Sequence, residues 1–201
     1  DIHMKFQHFS TRERLRKANG HIDNHVMWSG GADFAQLFGG TATWVNPIFD
    51  EALRQMDQWL ENIEADMSDD PRAIKVVRNK PLDLEDGCWS QTADPVFFPE
   101  TQTLGGPGTS FCNDTYPGFP FPRMVAGGPL ANDIIKCRLK ALDPSDYAVS
   151  FSPEQWDWLQ SIFPDGVCDW SKPGVEQRGL MGTWITFTDI GKYKKDTPAS
   201  R

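Results

Sequence analysis

Hydrophobic and polar positions alternate most regularly between residues 47 and 64. The apolar positions that share one face of a helix there are Phe49, Leu53, Met56, Leu60 and Ile63. This spacing predicts an amphipathic helix, which Ile48, Ala52 and Trp59 widen on its apolar side. Pro47 suits the first turn, so we expect a helix over residues 47–64 whose stripe packs into a core.

Weaker patterns predict three further elements in the first 80 residues. The capping box Ser10-x-x-Glu13, with Asn19-Gly20 as a terminator, predicts a helix over residues 10–18 that can extend back through Phe6. Residues 24–28 are typical of a short buried strand, and residues 70–77 of a short helix.

The last quarter of the chain carries the clearest helix boundaries. Ser152 and Gln155 form a capping box around Pro153, and Pro164 and Gly166 provide the stop. The pattern also predicts a preceding helix over residues 130–139.

Four cysteines allow three disulfide pairings. Their order along the chain favours two sequential loops, Cys88–Cys112 and Cys137–Cys168. The second bond would join the helix after Ser152 to the helix predicted before it. Because no Cys or His cluster has zinc spacing, we expect no metal site.

Proline, glycine and aspartate dominate residues 79–124, where regular elements are not expected. A stretch of this kind inside a compact domain should be functional or covalently tied down. We therefore expect an α/β portion over residues 1–78 and a disulfide-stapled, loop-rich appendage over residues 79–201.

Composition narrows the environment and the partners. The formal charge of −8 and the pI near 4.9 argue against a nucleic-acid partner. No apolar run reaches the roughly 20 residues of a membrane span. Eight Trp, fifteen Pro and seventeen Gly with paired cysteines are typical of a secreted or periplasmic protein.

The chain opens Asp1-Ile-His-Met, so we expect sequence upstream of it, with vector-derived residues as the alternative.

Catalytic motifs are incomplete. The sequence has no Gly-x-Ser-x-Gly, and Ser29 and Ser110 stand in the nearest approximations to it. No Walker or Gly-x-Gly-x-x-Gly motif opens a helix, so no cofactor is expected.

The four histidines are His3, His8, His21 and His25. Histidine is the usual general base, although for any one of them a structural or surface role is the alternative.

Several segments together resemble a known family. They are residues 1–3, 9–15, 18–24, 75–81, 86–89, 130–137 and 163–174. In these segments the chain is similar to the C-terminal part of a secreted, tannase-like α/β-hydrolase family catalogued as domain of unknown function 6351. The resemblance implies an α/β fold in which this chain forms the last part of the hydrolase sheet.

The same resemblance implies a serine-type esterase whose nucleophile lies upstream, on a second chain that carries the N-terminal part of the hydrolase core. This chain would then supply His3 as the general base, and the substrate would be an ester. Asp1 would be the acid partner of His3 or merely its neighbour, with the acid in the upstream sequence as the alternative. The alternative is a non-catalytic secreted subunit whose aromatic-rich appendage binds a polymer or a partner.

Overall fold

The computed structural model describes residues 5–31 and 47–179, and these form two compact units. The first contains the described residues up to Asp133, and the second begins at Ile134. Composition instead predicts a boundary near residue 79, which stays a prediction about how the whole protein is organised.

The first helix, α1, spans Phe6–Asn19 and ends at Gly20, which adopts the left-handed conformation with φ of 80°. The terminator is therefore as expected, but the predicted capping box is wrong. Ser10 lies inside α1 and is buried, and Glu13 instead accepts hydrogen bonds from Arg16. The helix starts four residues earlier because Phe6 and Phe9 bury their rings, and Phe6 stacks on Phe121 at 4.8 Å.

The second helix, α2, spans Pro47–Ala65, and α3 spans Arg72–Arg78, close to the bounds predicted for both. The predicted buried face of α2 is wrong within this chain. Trp59 and Gln55 are the buried side chains, whereas Leu53 is 54% exposed and Leu60 is 47% exposed. The helix takes this rotation because the Trp59 indole N–H donates to the carbonyl oxygen of Val76 at 2.7 Å.

A three-stranded sheet in the described part of the first unit joins β1 (Trp28–Ser29), β2 (Gly87–Trp89) and β3 (Phe97–Pro99). Strand β1 runs parallel to β2, and β2 runs antiparallel to β3. The predicted strand over residues 24–28 is wrong except at its last residue. His25 donates its N–H to Ile22 in a turn and Met27 donates to the Asp86 carboxylate, so these groups are satisfied outside a ladder.

The proline-rich segment after residue 79 contains more regular structure than its composition predicts. Besides β2 and β3 it holds α4 (Phe111–Thr115) and α5 (Pro122–Val125). The Cys88–Cys112 disulfide, predicted from the order of the cysteines, joins β2 to α4 with 5.6 Å between the Cα atoms. Both cysteines are almost completely buried, so this bond lies in the core of the unit.

The second unit contains β4 (Leu139–Lys140), α6 (Pro153–Ile162) and β5 (Val167–Cys168), with a 3-10 turn at Pro144–Asp146. The capping box of α6 forms as predicted, with the Ser152 and Gln155 side chains each bonding the other's backbone N–H. The Cys137–Cys168 disulfide is present as well. It ties the segment before β4 to β5, which pairs antiparallel with β4.

The helix predicted over residues 130–139 is wrong. Asn132 has φ of 46°, which a right-handed helix does not accommodate. The Arg14 guanidinium, which belongs to the same unit as Asn132, donates to the carbonyl oxygens of Ala131 and Asn132 at 2.6 Å and 2.8 Å. These carbonyls therefore accept from a side chain rather than from a helical turn.

The described chain thus mixes helices with small sheets and two disulfides. None of its described helices combines the length and the apolar content needed to cross a bilayer.

Candidate functional site

A groove of about 420 Å³ opens where β1 ends, at the carboxyl edge of the parallel pair β1 and β2. In open sheets with parallel strands, ligands bind outside the carboxyl ends of the strands. The groove is lined by Lys5, His8, Met27, Trp28, Ser29, Gly30, Thr115, Tyr116 and Pro117. It therefore combines a cation, an imidazole, a hydroxyl and aromatic surface.

Lys5, which precedes α1, forms one wall of the groove and is held by α4. Its ammonium donates to the Asn113 Oδ1 atom at 3.1 Å and to the Tyr116 carbonyl oxygen at 2.6 Å. Burial lowers the pKa of Lys5, and the charge of Glu100 partly opposes that shift. Because two of its three donors already have protein partners, Lys5 positions the start of α1 against α4.

Asn113 completes this corner and is 1% exposed. Its Nδ2 atom donates to the hydroxyls of Thr103 and Thr109, both at 2.9 Å. Asn113-Asp114-Thr115 matches the glycosylation pattern, but a glycan on this buried nitrogen is incompatible with the two hydrogen bonds that it makes in the fold.

Tyr116 provides the groove with a fixed aromatic wall. Its hydroxyl donates to the Trp89 carbonyl oxygen at 2.8 Å, at the end of β2. Burial raises the pKa of Tyr116, which keeps the phenol protonated and able to donate. The ring therefore marks the carboxyl edge of the sheet, where a ligand would lie.

The two serines that approximate a nucleophile motif both have structural partners. The Ser29 hydroxyl donates to the Gln102 Oε1 atom at 3.0 Å, and Gln102 is buried. Ser110 caps α4, accepting from the Asn113 N–H. Neither serine has an imidazole as its hydrogen-bond partner among residues 5–31 and 47–179. Within the described residues, neither serine therefore has the adjacent base that activates a serine nucleophile.

The structure separates the histidines that the sequence places close together. His3 and Asp1, the predicted catalytic residues, lie outside the described residues. His8 lines the groove on α1, next to Lys5. His21 lies within 3.6 Å of the Asp23 carboxylate at an exposed turn. His25 lines a different cavity, although the charge of His8 still reaches it and contributes to lowering its pKa.

That second cavity, of about 220 Å³, contains a buried polar network that the sequence does not reveal. Arg12 donates to Asp86 at 2.7 Å and to the Nδ1 atom of His25 at 3.4 Å. Asp86 also accepts the backbone N–H groups of Met27 and Gln102. The network therefore connects α1 to the segments that precede β1 and β2 and to the segment that follows β3.

The charges in this network explain the protonation of its members. Burial raises the pKa of Asp86, but hydrogen bonds from Arg12 and the Met27 N–H outweigh it, so the net pKa is lowered. Burial, together with the charge of Arg12, lowers the pKa of His25. His25 is thus neutral and accepts from Arg12, which is the behaviour of a structural histidine. A segment-level resemblance pointed to residues 9–15 and 86–89 but not to this contact.

Metal chemistry finds no support in the described ranges 5–31 and 47–179. No group of three or more His, Cys, Asp or Glu side chains is arranged there to hold a metal ion.

Comparison with known families gives one clear result. The model of a tannase-like family of unknown function (DUF6351) matches residues 1–179 of the chain. Comparison with curated proteins and comparison with solved structures give no match. Since the family model covers most of the 201 residues, the chain belongs to the tannase-like family of unknown function.

Proposed function

We propose that the chain is the C-terminal part of a secreted serine-type ester hydrolase, with the nucleophilic serine on sequence upstream of it. His3 is the general base that this chain supplies, and its carboxylate partner is either Asp1 or an acid in the upstream sequence. The observation that carries the proposal is the match of residues 1–179 to a tannase-like family. In hydrolases of this kind the triad residues follow the order serine, acid, histidine.

The partners of Ser29 and Ser110, the two serines nearest to a nucleophile motif, support an upstream nucleophile. Ser29 donates to Gln102 and Ser110 caps α4, so each hydroxyl already has a structural role. The sequence has no Gly-x-Ser-x-Gly turn. A nucleophile supplied by the remainder of the hydrolase core accounts for both facts.

The sequence position of His3, close to a residue that lines the groove, supports it as the base. His3 precedes Lys5 by two residues, and Lys5 lines the groove at the carboxyl edge of β1 and β2. Trp28 and Tyr116 offer aromatic surface there for the acyl or alcohol group of an ester. In the reaction His3 takes the proton of the serine hydroxyl as that oxygen attacks the ester carbonyl, and then returns it to the leaving alcohol.

The two disulfides support secretion. Disulfides persist in the extracellular space and the periplasm, and are rare where thiols are kept reduced.

The proposal is tested on the protein purified from its natural source, by intact mass, N-terminal sequencing and labelling with a fluorophosphonate probe. We expect the label on a Gly-x-Ser-x-Gly serine that lies upstream in the same chain or in a companion chain, together with hydrolysis of p-nitrophenyl acetate. Labelling of Ser29 or Ser110, or an unlabelled and inactive protein, would contradict it.

The second candidate is a non-catalytic binding or interaction subunit. The exposed apolar residues of α2 favour it, because such a helix face is typical of a protein–protein contact. A lone chain that binds its partner without any esterase activity would support this alternative over the first.

A further inference from the structure

One face of α2 exposes large apolar side chains along almost the whole helix. Leu53 is 54% exposed, Met56 is 52% exposed and Leu60 is 47% exposed. We call these three residues the α2 stripe. Phe49, which is 60% exposed, precedes them on the same face. We propose that the α2 stripe is the docking surface for a partner protein whose contacting surface is apolar with a basic rim.

The spacing of the stripe is that of a helix-packing seam. Residues 53, 56 and 60 follow one another at intervals of three and four, which is the alternation of a and d positions in a heptad. The helix has 19 residues, enough for more than two heptads. A partner helix or sheet can therefore contact successive turns with one continuous surface.

The rest of α2 is already committed to the chain's own fold. Trp59 and Gln55 are buried, and the Trp59 indole and the Asn62 amide donate to the carbonyl oxygens of Val76 and Asn79. These contacts fix the rotation of the helix. The α2 stripe cannot turn inward without breaking them, so it stays on the surface of the described residues.

Charge on the outer border of the stripe identifies the partner. Asp50, Asp57 and Glu64 are exposed and spaced seven residues apart, so they form an acidic line beside the stripe. Glu61 is also exposed and adds to this edge. The helix contains a single base, Arg54, whose guanidinium pairs with Glu51 at 2.5 Å. The border is therefore acidic along its length.

This acidic line selects against a second copy of the chain in antiparallel packing. There the acidic lines of the two helices would face each other, and like charges at a helix interface are destabilising. In parallel packing each line would face positions 52 and 59 of the other helix, and Trp59 is already buried in the chain's own fold. Lysine or arginine on the facing rim of a partner forms the complementary pairs that set partner choice. The partner is therefore apolar at its centre and basic at its edge. This inference does not depend on ester hydrolysis.

The test uses the full chain and three fluorescent helical peptides of about 21 residues, or three heptads. The first has leucine at its a and d positions and lysine on its rim, the second replaces the rim lysines with glutamate, and the third scrambles the first. Fluorescence anisotropy measures the affinity of each peptide. We expect the lysine-rimmed peptide to bind about tenfold tighter than the glutamate-rimmed one, because its lysines form several weak ion pairs with the acidic line of α2.

Two variants make the test specific. Leu53→Asp places a charge in the α2 stripe. It should weaken binding of the lysine-rimmed peptide at least about tenfold, because the contact of one leucine that the peptide buries is lost. Leu82→Asp makes the same change at a fully exposed leucine outside α2 and should leave binding unchanged. Circular dichroism confirms that both variants keep the helical content of the parent chain.

Three results would overturn the proposal. The first is equal binding of the lysine-rimmed and scrambled peptides, which would show charge attraction alone. The second is no binding of the lysine-rimmed peptide, or binding that Leu53→Asp leaves intact. The third is a stable dimer in light scattering that Leu53→Asp dissociates, which would make a second copy the occupant.

Discussion

Asp86→Ala is the substitution that most directly tests the internal network of the first unit. The Asp86 carboxylate accepts from Arg12 at 2.7 Å, from the Met27 N–H at 2.9 Å and from the Gln102 N–H at 3.2 Å. The side chains of the ion pair are only 12% and 14% exposed. Removing the carboxylate leaves three donors without their acceptor and one guanidinium without its counter-charge.

The magnitude follows from these contacts. Removing one partner of a buried ion pair costs about 3–5 kcal/mol, and the residual exposure of this pair places it at the lower end, about 3 kcal/mol. A loss of that size lowers the melting temperature of a chain of this length by roughly 6–12 °C. The pKa of Asp86 is lowered in the folded state, so its contribution is complete at pH 7 and disappears as the pH falls through the folded pKa.

The assay is thermal unfolding at pH 7 followed by near-ultraviolet circular dichroism, which reports the packed rings of Trp28 and Trp89. Asp83→Ala is the matched control, because Asp83 is exposed and lies only three residues away. In a double-mutant cycle, Arg12→Ala combined with Asp86→Ala should cost less than the sum of the two single changes, by about 1–3 kcal/mol. An Asp86→Ala variant that melts within about 2 °C of the Asp83→Ala control would refute this reasoning.

Three further predictions concern the two units separately. Replacing both cysteines of the Cys88–Cys112 bond with alanine should destabilise the first unit by about 3–4 kcal/mol in urea unfolding, because the unfolded chain gains the entropy of the opened loop. A loss of stability below about 1 kcal/mol would contradict this expectation. Gly166→Ala should disrupt the pairing of β4 with β5, because its φ is 97° and a Cβ atom would lie 2.2 Å from the Lys140 carbonyl oxygen. Gly108→Ala, with φ of 84° and no atom within 4 Å of the added Cβ, should cost only about 1 kcal/mol, and equal losses would contradict the close contact. Because the pKa of His25 is lowered in the folded state, the unfolded state binds the proton first as the pH falls. The free energy of unfolding should therefore decrease below about pH 6.5, and His25→Gln should reduce this dependence on pH. If His25→Gln leaves the pH dependence unchanged, His25 is not its source.

Local signals predicted several elements correctly because the physics that forms them is local. The capping box of α6, the glycine that ends α1 and the bounds of α2 all depend on residues within a few positions of one another. The disulfide pairing also followed from order along the chain.

The errors arose where distant residues decide the outcome. Hydrophobic periodicity predicted a buried stripe on α2, but one hydrogen bond from Trp59 to Val76 fixed the rotation of the helix in this chain. Periodicity also predicted a helix over residues 130–139, where Arg14 from α1 binds the carbonyl oxygens instead. Neither partner is visible from sequence spacing.

The candidate site was predictable only in part for the same reason. The sequence drew attention to the histidines, but it could not separate His8 in the groove from His25 beside Arg12. Nor could it show that the Ser29 hydroxyl binds Gln102. Contacts between residues far apart in sequence set both facts.

The most direct measurement of the central claim is the steady-state hydrolysis of p-nitrophenyl acetate by the complete protein with His3→Ala, compared with His21→Ala. If His3 is the general base, His3→Ala should lower kcat by several orders of magnitude while the melting temperature is unchanged. His21→Ala should have nearly normal kinetics, because His21 lies at an exposed turn. Near-normal hydrolysis by His3→Ala would contradict the account.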